Sequence, residues 1–142
     1  MKKRRVVITG MGLLTPVGIG IEPFWSNILA GKSGVDRSPV LMKANCPWKI
    51  AGEVRDFRPE DWISRKDVRR MDRFAHFGLS ASYMALQDSG LVLEKEDRQR
   101  IGVAMGTAYA GWEFAAREYE VYQKSGVEAM SSYMGIAIFT GA

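Results

Sequence analysis

Arg4-Arg5-Val6-Val7-Ile8-Thr9-Gly10-Met11-Gly12, followed by Leu13-Leu14-Thr15-Pro16-Val17-Gly18, is the stretch whose reading decides the fold. Residues 5–9 predict a short buried strand, because a β-branched run stops abruptly at Gly10. A strand that ends in Gly-x-Gly raises the question of a dinucleotide site. Such a site needs a third small residue and a helix N-terminus aimed at the pyrophosphate. Here Thr15 and Pro16 follow, the next helix waits until about Ile21, and no acidic residue ends a second strand at the proper distance. The glycines are read instead as a tight turn with positive φ.

Outward from that stretch, strands and helices alternate. Residues 21–30 predict a helix with Phe24, Trp25, Ile28 and Leu29 on one face and Gly31 just past its end. Residues 32–47 read as a long loop and residues 49–54 as a short strand. The clearest helix covers residues 71–89, with Phe74, Phe77, Ala81, Met84 and Ala85 as its apolar stripe and Gly90 as its stop. Small residues at Gly78, Ser80, Ala81, Ser82 and Ala85 leave room for another backbone. Residues 101–106 predict a second buried strand, and residues 112–123 a helix with Trp112, Ala115, Ala116 and Tyr119 inward. The order strand, helix, strand, helix, strand, helix predicts α/β layers.

Composition sets the outer limits. The chain has 142 residues, 46% hydrophobic and 25% charged, which excludes a disordered or collagenous chain. A net charge of +4 favours an acidic partner without naming one. Cys46 and His76 are the single cysteine and the single histidine, so no disulfide framework and no usual structural zinc site is expected. The basic start is followed by an apolar stretch that Gly10, Gly12, Pro16 and Gly18 interrupt, which argues against an export signal. The longest nearly apolar run, residues 133–142, is far shorter than the ~20 residues of a membrane helix. A cytoplasmic protein without a membrane segment is the expectation. The chain grows more apolar towards Ala142 with no polar tail, which predicts one domain, residues 1–142, cut on its C-terminal side.

Three motifs carry possible chemistry. Residues 64–73 (Ser-Arg-Lys-Asp-Val-Arg-Arg-Met-Asp-Arg) hold five cations. On a helix, Lys66, Arg69, Arg70 and Arg73 would share one face and suit phosphate or acidic helices. A solvated basic face is the competing reading. Nucleic acid is a third, unsupported by any RNA- or DNA-binding pattern. Residues 106–112 (Gly-Thr-Ala-Tyr-Ala-Gly-Trp) are either a pocket entrance with Tyr109 projecting or a plain strand-to-helix turn. His76 reads as a structural helix residue and Cys46 as an ordinary loop thiol, since neither has a local partner for nucleophilic or acid–base work.

Taken together, the residues resemble the β-ketoacyl-acyl-carrier-protein synthases. Arg4–Gly12 and Thr15-Pro16-Val17-Gly18 look like the start of that family. Trp25, Leu29-Ala30-Gly31-Lys32-Ser33-Gly34 and Ala51-Gly52-Glu53-Val54-Arg55-Asp56-Phe57 continue the likeness. So do Arg70-Met71-Asp72-Arg73-Phe74, Ala85-Leu86-Gln87-Asp88-Ser89-Gly90-Leu91, Arg100-Ile101-Gly102-Val103 and Gly106-Thr107. The resemblance is strongest to the elongating, carrier-protein-dependent type II enzymes. It implies the N-terminal portion of a thiolase-like layered α/β fold, incomplete in this chain, and an obligate homodimer. It implies a decarboxylating Claisen condensation of acyl and malonyl thioesters, borne on the phosphopantetheine of acyl-carrier protein, with no other cofactor. The family's catalytic cysteine and two histidines match no position here, so the chain alone is expected to be inactive. The basic cluster matches the carrier-protein docking patch, which assigns Lys66, Arg69 and Arg70 to acyl-carrier protein. Tyr109 matches a position lining the acyl tunnel, and Tyr133 and Met134 match residues that reach the pocket across the dimer. Two departures stand out. The family commonly has a glycine-rich turn with an aliphatic residue at the place of Tyr109, and an Asn-Met segment where Thr140-Gly141-Ala142 stand. Alternatives are a non-catalytic chain-length factor and, from another class, a nucleotide-binding oxidoreductase domain.

Overall fold

The computed structural model describes residues 4–139. The readings at residues 1–3 and 140–142 lie outside the described residues. The chain divides into two compact units, Met1–Arg58 with Ala81–Leu91, and Pro59–Ser80 with Val92–Ala142.

In the first unit, β1 (Leu14–Thr15) and β2 (Gly18–Ile19) pair antiparallel, with Leu14 opposite Ile19. Pro16 and Val17 form the turn between them. Thr15 fixes it: its Oγ1 accepts from the amides of Val17 and Gly18 at 3.2 and 3.1 Å and donates to the Gly18 carbonyl at 2.9 Å. Helix α1 (Ile21–Leu29) follows. It ends as the sequence predicts, with Gly31 at φ 66°. The Gly31 amide donates to Ile28 O and the Lys32 amide to Asn27 O, both at 3.0 Å, the paired bonds of a Schellman ending. Its apolar face, however, stays open: Trp25, Ile28 and Leu29 are exposed.

The segment expected as a long loop contains more order. Strand β3 (Val35–Arg37) pairs antiparallel with β4 (Ile50–Gly52), the strand expected there. Between them lies α2 (Pro39–Lys43), with Pro39 in its first turn and the fully buried Ser38 as its cap, accepting from the Leu41 amide at 3.2 Å. The loop reading gave no weight to Ser-Pro as a helix start. Arg55 ties the hairpin together by ion pairs to Asp36 at 3.0 Å and Glu53 at 3.4 Å. The Arg37 amide, donating to Asp36 at 2.7 Å, and next the Arg55 guanidinium hold the Asp36 carboxyl below its usual range.

Helix α4 (Arg73–Ser89) lends its last turns to this unit and its first turns to the other. Gly10 and Gly12 lie on it. A Cβ on Gly12 would fall 1.9 Å from Ala81 O, and one on Gly10 2.2 Å from Ala85 O. The Met11 amide donates to Asp88 Oδ2 at 2.9 Å. The expected reason for these glycines is therefore corrected. Neither has positive φ. Both are needed for close approach, and the small residues Ala81 and Ala85 form the surface approached.

In the second unit, α3 (Arg65–Val68) precedes α4, and α5 (Trp112–Ser125) and α6 (Met134–Ile138) follow. Its interior holds Ile63, Phe114 and Ala137 with the polar Asp72, His76, Ser80 and Glu118. The inward face expected for α5 is overturned. Trp112 and Tyr119 are 71% and 59% exposed, while Phe114 and Glu118 are buried. Hydrogen bonds set this face: Asp72 Oδ2 accepts from the Phe114 amide at 3.0 Å, and Glu118 Oε2 accepts from the Ser131 amide at 2.6 Å.

The two expected buried strands do not form. Val6 and Ile8 are 92% and 84% exposed, and Val103 86%. Among the described residues no backbone lies in a ladder with residues 5–9 or 101–106. Strand propensity is a property of one segment, but a strand needs a second backbone.

Candidate docking and pocket segments

The basic segment starts at Ser64. Its Oγ accepts from the Asp67 amide at 3.2 Å and donates to Asp67 Oδ2 at 2.6 Å, which caps α3 and engages the carboxylate that lies among Lys66 and Arg69. Arg65, Lys66 and Arg69 are exposed. Among the described residues no carboxylate pairs with Lys66 or Arg69.

The expectation of one face bearing Lys66, Arg69, Arg70 and Arg73 is corrected. Helix α3 ends at Val68, and a turn separates it from α4. Arg70 is half-buried; its amide donates to Asp67 O at 2.9 Å, and its guanidinium carbon lies 5.0 Å from the centroid of the Tyr133 ring. Arg73 opens α4 and stands 4.9 Å from the Phe77 ring centroid. The cluster thus divides into outward cations and cations that lie on aromatic rings.

The pocket candidates come from two segments. The turn at residues 106–111 places Ala110 at φ 46°, supported by Thr107 Oγ1, which accepts from the Ala110 amide at 3.2 Å. Gly111 presses on α6: its amide donates to Ile138 O at 3.1 Å, and a Cβ there would lie 2.5 Å from Ala137 O. Tyr109 itself is 81% exposed. Tyr133 stands at the start of α6, where its carbonyl accepts from Ile136 and Ala137, and Met134 is half-buried beside it. The backbones of the two pocket segments therefore meet at Gly111 and α6, and Arg70 of the docking set reaches Tyr133 of the pocket set.

Three residues hold this frame. Asp72, 6% exposed, accepts from the Arg73 amide at 2.6 Å and the Phe114 amide at 3.0 Å, joining the starts of α4 and α5. Its place immediately before a helix was a readable capping signal. Glu118 had no such signal, since an isolated Glu in a helix is ordinarily solvated. His76 is structural, as expected: its Nε2 lies 3.0 Å from Val68 O and ties α3 to α4. The free Cys46 follows α2, and its amide donates to Leu41 O at 3.2 Å.

Comparison with known structures identifies the class as thiolase-like ketosynthases. A structure described as the ishigamide ketosynthase/chain length factor superposes over 99% of this chain and 35% of its own, with TM-score 0.81 and 28% identity. A type II polyketide ketosynthase in complex with its acyl-carrier protein matches over 96% of this chain and 35% of its own, with TM-score 0.78 and 27% identity. The 3-oxoacyl-acyl-carrier-protein synthase 2 of Vibrio cholerae is 40% identical over 94% of this chain and 32% of its own length. The family model described as β-ketoacyl synthase, N-terminal domain, matches residues 3–141, and the chain belongs to that family. It spans about a third of the length of these relatives. The oxidoreductase alternative falls with this result. The geometry agrees, because Gly10 and Gly12 face mid-helix carbonyls of α4 rather than the helix N-terminus a pyrophosphate requires.

Proposed function

We propose that this chain is the carrier-docking and acyl-pocket portion of a 3-oxoacyl-acyl-carrier-protein synthase. The reaction is the decarboxylating condensation of acyl and malonyl thioesters in fatty acid or polyketide synthesis. The substrates arrive on the phosphopantetheine of acyl-carrier protein, and no further cofactor is used. The observation that carries the reading is the pair Lys66 and Arg69, exposed on a capped turn without a carboxylate partner among the described residues. Unneutralised cations on a rigid turn suit the acidic helix of a carrier protein, and such rim charges act chiefly on association rate.

Titration of acyl-carrier protein tests this. Lys66→Glu with Arg69→Glu is expected to weaken binding at least tenfold at about 50 mM salt and far less at about 500 mM, where screening shortens the reach of charge. An equal Kd for variant and parent at low salt overturns the docking role.

The condensing nucleophile and its histidines are assigned outside these 142 residues. His76 is engaged with Val68 O, and Cys46 has no part in the docking or pocket segments. Incubation of the chain with acyl-carrier-protein thioesters should add no acyl mass to Cys46. A stoichiometric adduct there refutes the assignment. The exposed Trp112, Tyr119 and Tyr122 of α5, with Ile136 and Phe139, suit burial by a second copy, which supports a homodimer. The cytoplasm is the proposed compartment; among the described residues no helix is long and apolar enough to cross a membrane. A chain-length factor remains the second reading, because the ishigamide neighbour is described as ketosynthase/chain length factor. Condensation activity of the intact protein separates the two.

A further inference from the structure

We infer that Arg70 is a positioning residue for the pocket segment and that the docking surface proper is Arg65, Lys66 and Arg69. The inference rests on the docking and pocket roles proposed above and divides them differently.

Arg65, Lys66 and Arg69 are exposed, whereas Arg70 is half-buried. The turn after α3 accounts for this. The Arg70 amide closes on Asp67 O, and the guanidinium lies over the Tyr133 ring at 5.0 Å. A cation over a ring face is held by the ring quadrupole and loses hydration in the process. Tyr133 is a consequential residue to hold. Its carbonyl accepts the first bonds of α6, from Ile136 at 3.0 Å and Ala137 at 2.8 Å, and Met134 follows directly. Two residues beyond Arg70, Asp72 caps the start of α5 through the Phe114 amide. From the middle of that helix Glu118 holds the Ser131 amide, two residues before Tyr133. The turn bearing Arg70 and Asp72 thus grips the pocket segment at Tyr133 and at the start of α5. A carrier protein seated on Arg65, Lys66 and Arg69 sits next to that grip, so docking and pocket shape are coupled through Arg70.

The test compares Arg70→Ala, Arg70→Lys, Tyr133→Phe and Lys66→Glu in the full chain, with two readouts. The first is the NMR signal of the Tyr133 ring in the absence of any partner. Arg70→Ala should shift it, Arg70→Lys should restore part of the shift, and Lys66→Glu should leave it unchanged. A ring signal that is the same in Arg70→Ala and the parent overturns the inference, whatever the fate of the docking proposal. The second readout is the Kd for acyl-carrier protein. Lys66→Glu should weaken it at least tenfold, and Arg70→Ala and Tyr133→Phe less than threefold. A loss in Arg70→Ala equal to that in Lys66→Glu, with Tyr133→Phe unaffected, returns Arg70 to the docking surface and also overturns it. If Lys66→Glu alone has no effect on Kd, the docking proposal fails while the ring readout still decides the role of Arg70.

Discussion

Gly12 has no room for a methyl group, because Ala81 O and the Ala85 amide occupy its place at 1.9 and 2.9 Å. Gly31 has open space around its Cβ position and needs glycine only for φ 66°. The two should therefore respond differently to alanine. Gly12→Ala is expected to cost about 3 kcal/mol, since backbone atoms cannot rotate away, and Gly31→Ala about 1 kcal/mol, for αL strain alone. Urea midpoints measure both, and equal losses would refute the packing argument. The sequence made the Gly31 reading straightforward, because helix ends are local. It misassigned Gly12, because a clash with residue 81 cannot be seen from residues 10–16. Tyr109 carries a second prediction at this scale. Its large side chain replaces an aliphatic one in the resemblance, so on the function proposed above Tyr109→Gly should let the intact protein accept longer acyl chains. An unchanged chain-length profile would sink that idea.

Elements in this chain are fixed by buried polar groups as much as by apolar stripes. Helix α5 shows it: Phe114 and Glu118 face inward because Asp72 and Glu118 accept backbone amides, and the exposed Trp112 and Tyr119 had looked more apt. Hydrophobic periodicity could not have found this. It weights Trp above Glu, and the partner atoms lie 42 and 13 residues away. Asp72→Ala should cost about 1–3 kcal/mol, the range for stranding a buried donor, and α5 should lose amide protection at Phe114 first. Protection there equal to the parent's would remove Asp72 as its anchor. The β3–β4 hairpin makes a pH prediction. Asp36 titrates below the ordinary 3.8 when folded, chiefly through the Arg37 amide and Arg55. Its contribution is then complete above 3.8 and lost as pH falls through the lower folded value. Asp36 is exposed, so the effect is small. Protection of the Arg37 amide, taken relative to its intrinsic exchange rate, should fall over that window in the parent and not in Asp36→Asn. Identical profiles refute it.

For the whole molecule, the informative surfaces are the unpaired apolar runs. Val6, Val7 and Ile8 are 92%, 64% and 84% exposed, and Val103 and Met105 86% and 62%. The sequence identified both runs as strand-forming and core-facing, and their composition supports that reading. What it could not supply was the opposing backbone, which no described residue provides. Exposed strand-prone segments of this kind pair with whatever edge is offered. The chain on its own should bind a hydrophobic dye and associate with rising concentration, and Val7→Lys with Val103→Lys should reduce both. A monomer without dye binding at all concentrations would contradict this. Family membership was legible from many short motifs in order, whereas the division of the basic cluster was not. Arg69 and Arg70 are neighbours of the same type, and the Tyr133 ring that sets them apart is 63 positions further along the chain.

The seating of residues 10–12 on α4 has a consequence for anyone scanning this protein by saturation mutagenesis. Positions 10 and 12 will tolerate almost nothing, and beside a Gly-x-Gly spelling that intolerance will mimic a nucleotide fingerprint. The way to unmask it is to measure stability with no ligand present. Gly10→Ala and Gly12→Ala each meet a backbone carbonyl, of Ala85 and of Ala81, which no side-chain deletion on the helix removes, so both should lower the urea midpoint of the ligand-free chain. That loss is the signature of crowding, and a missing phosphate contact would not produce it.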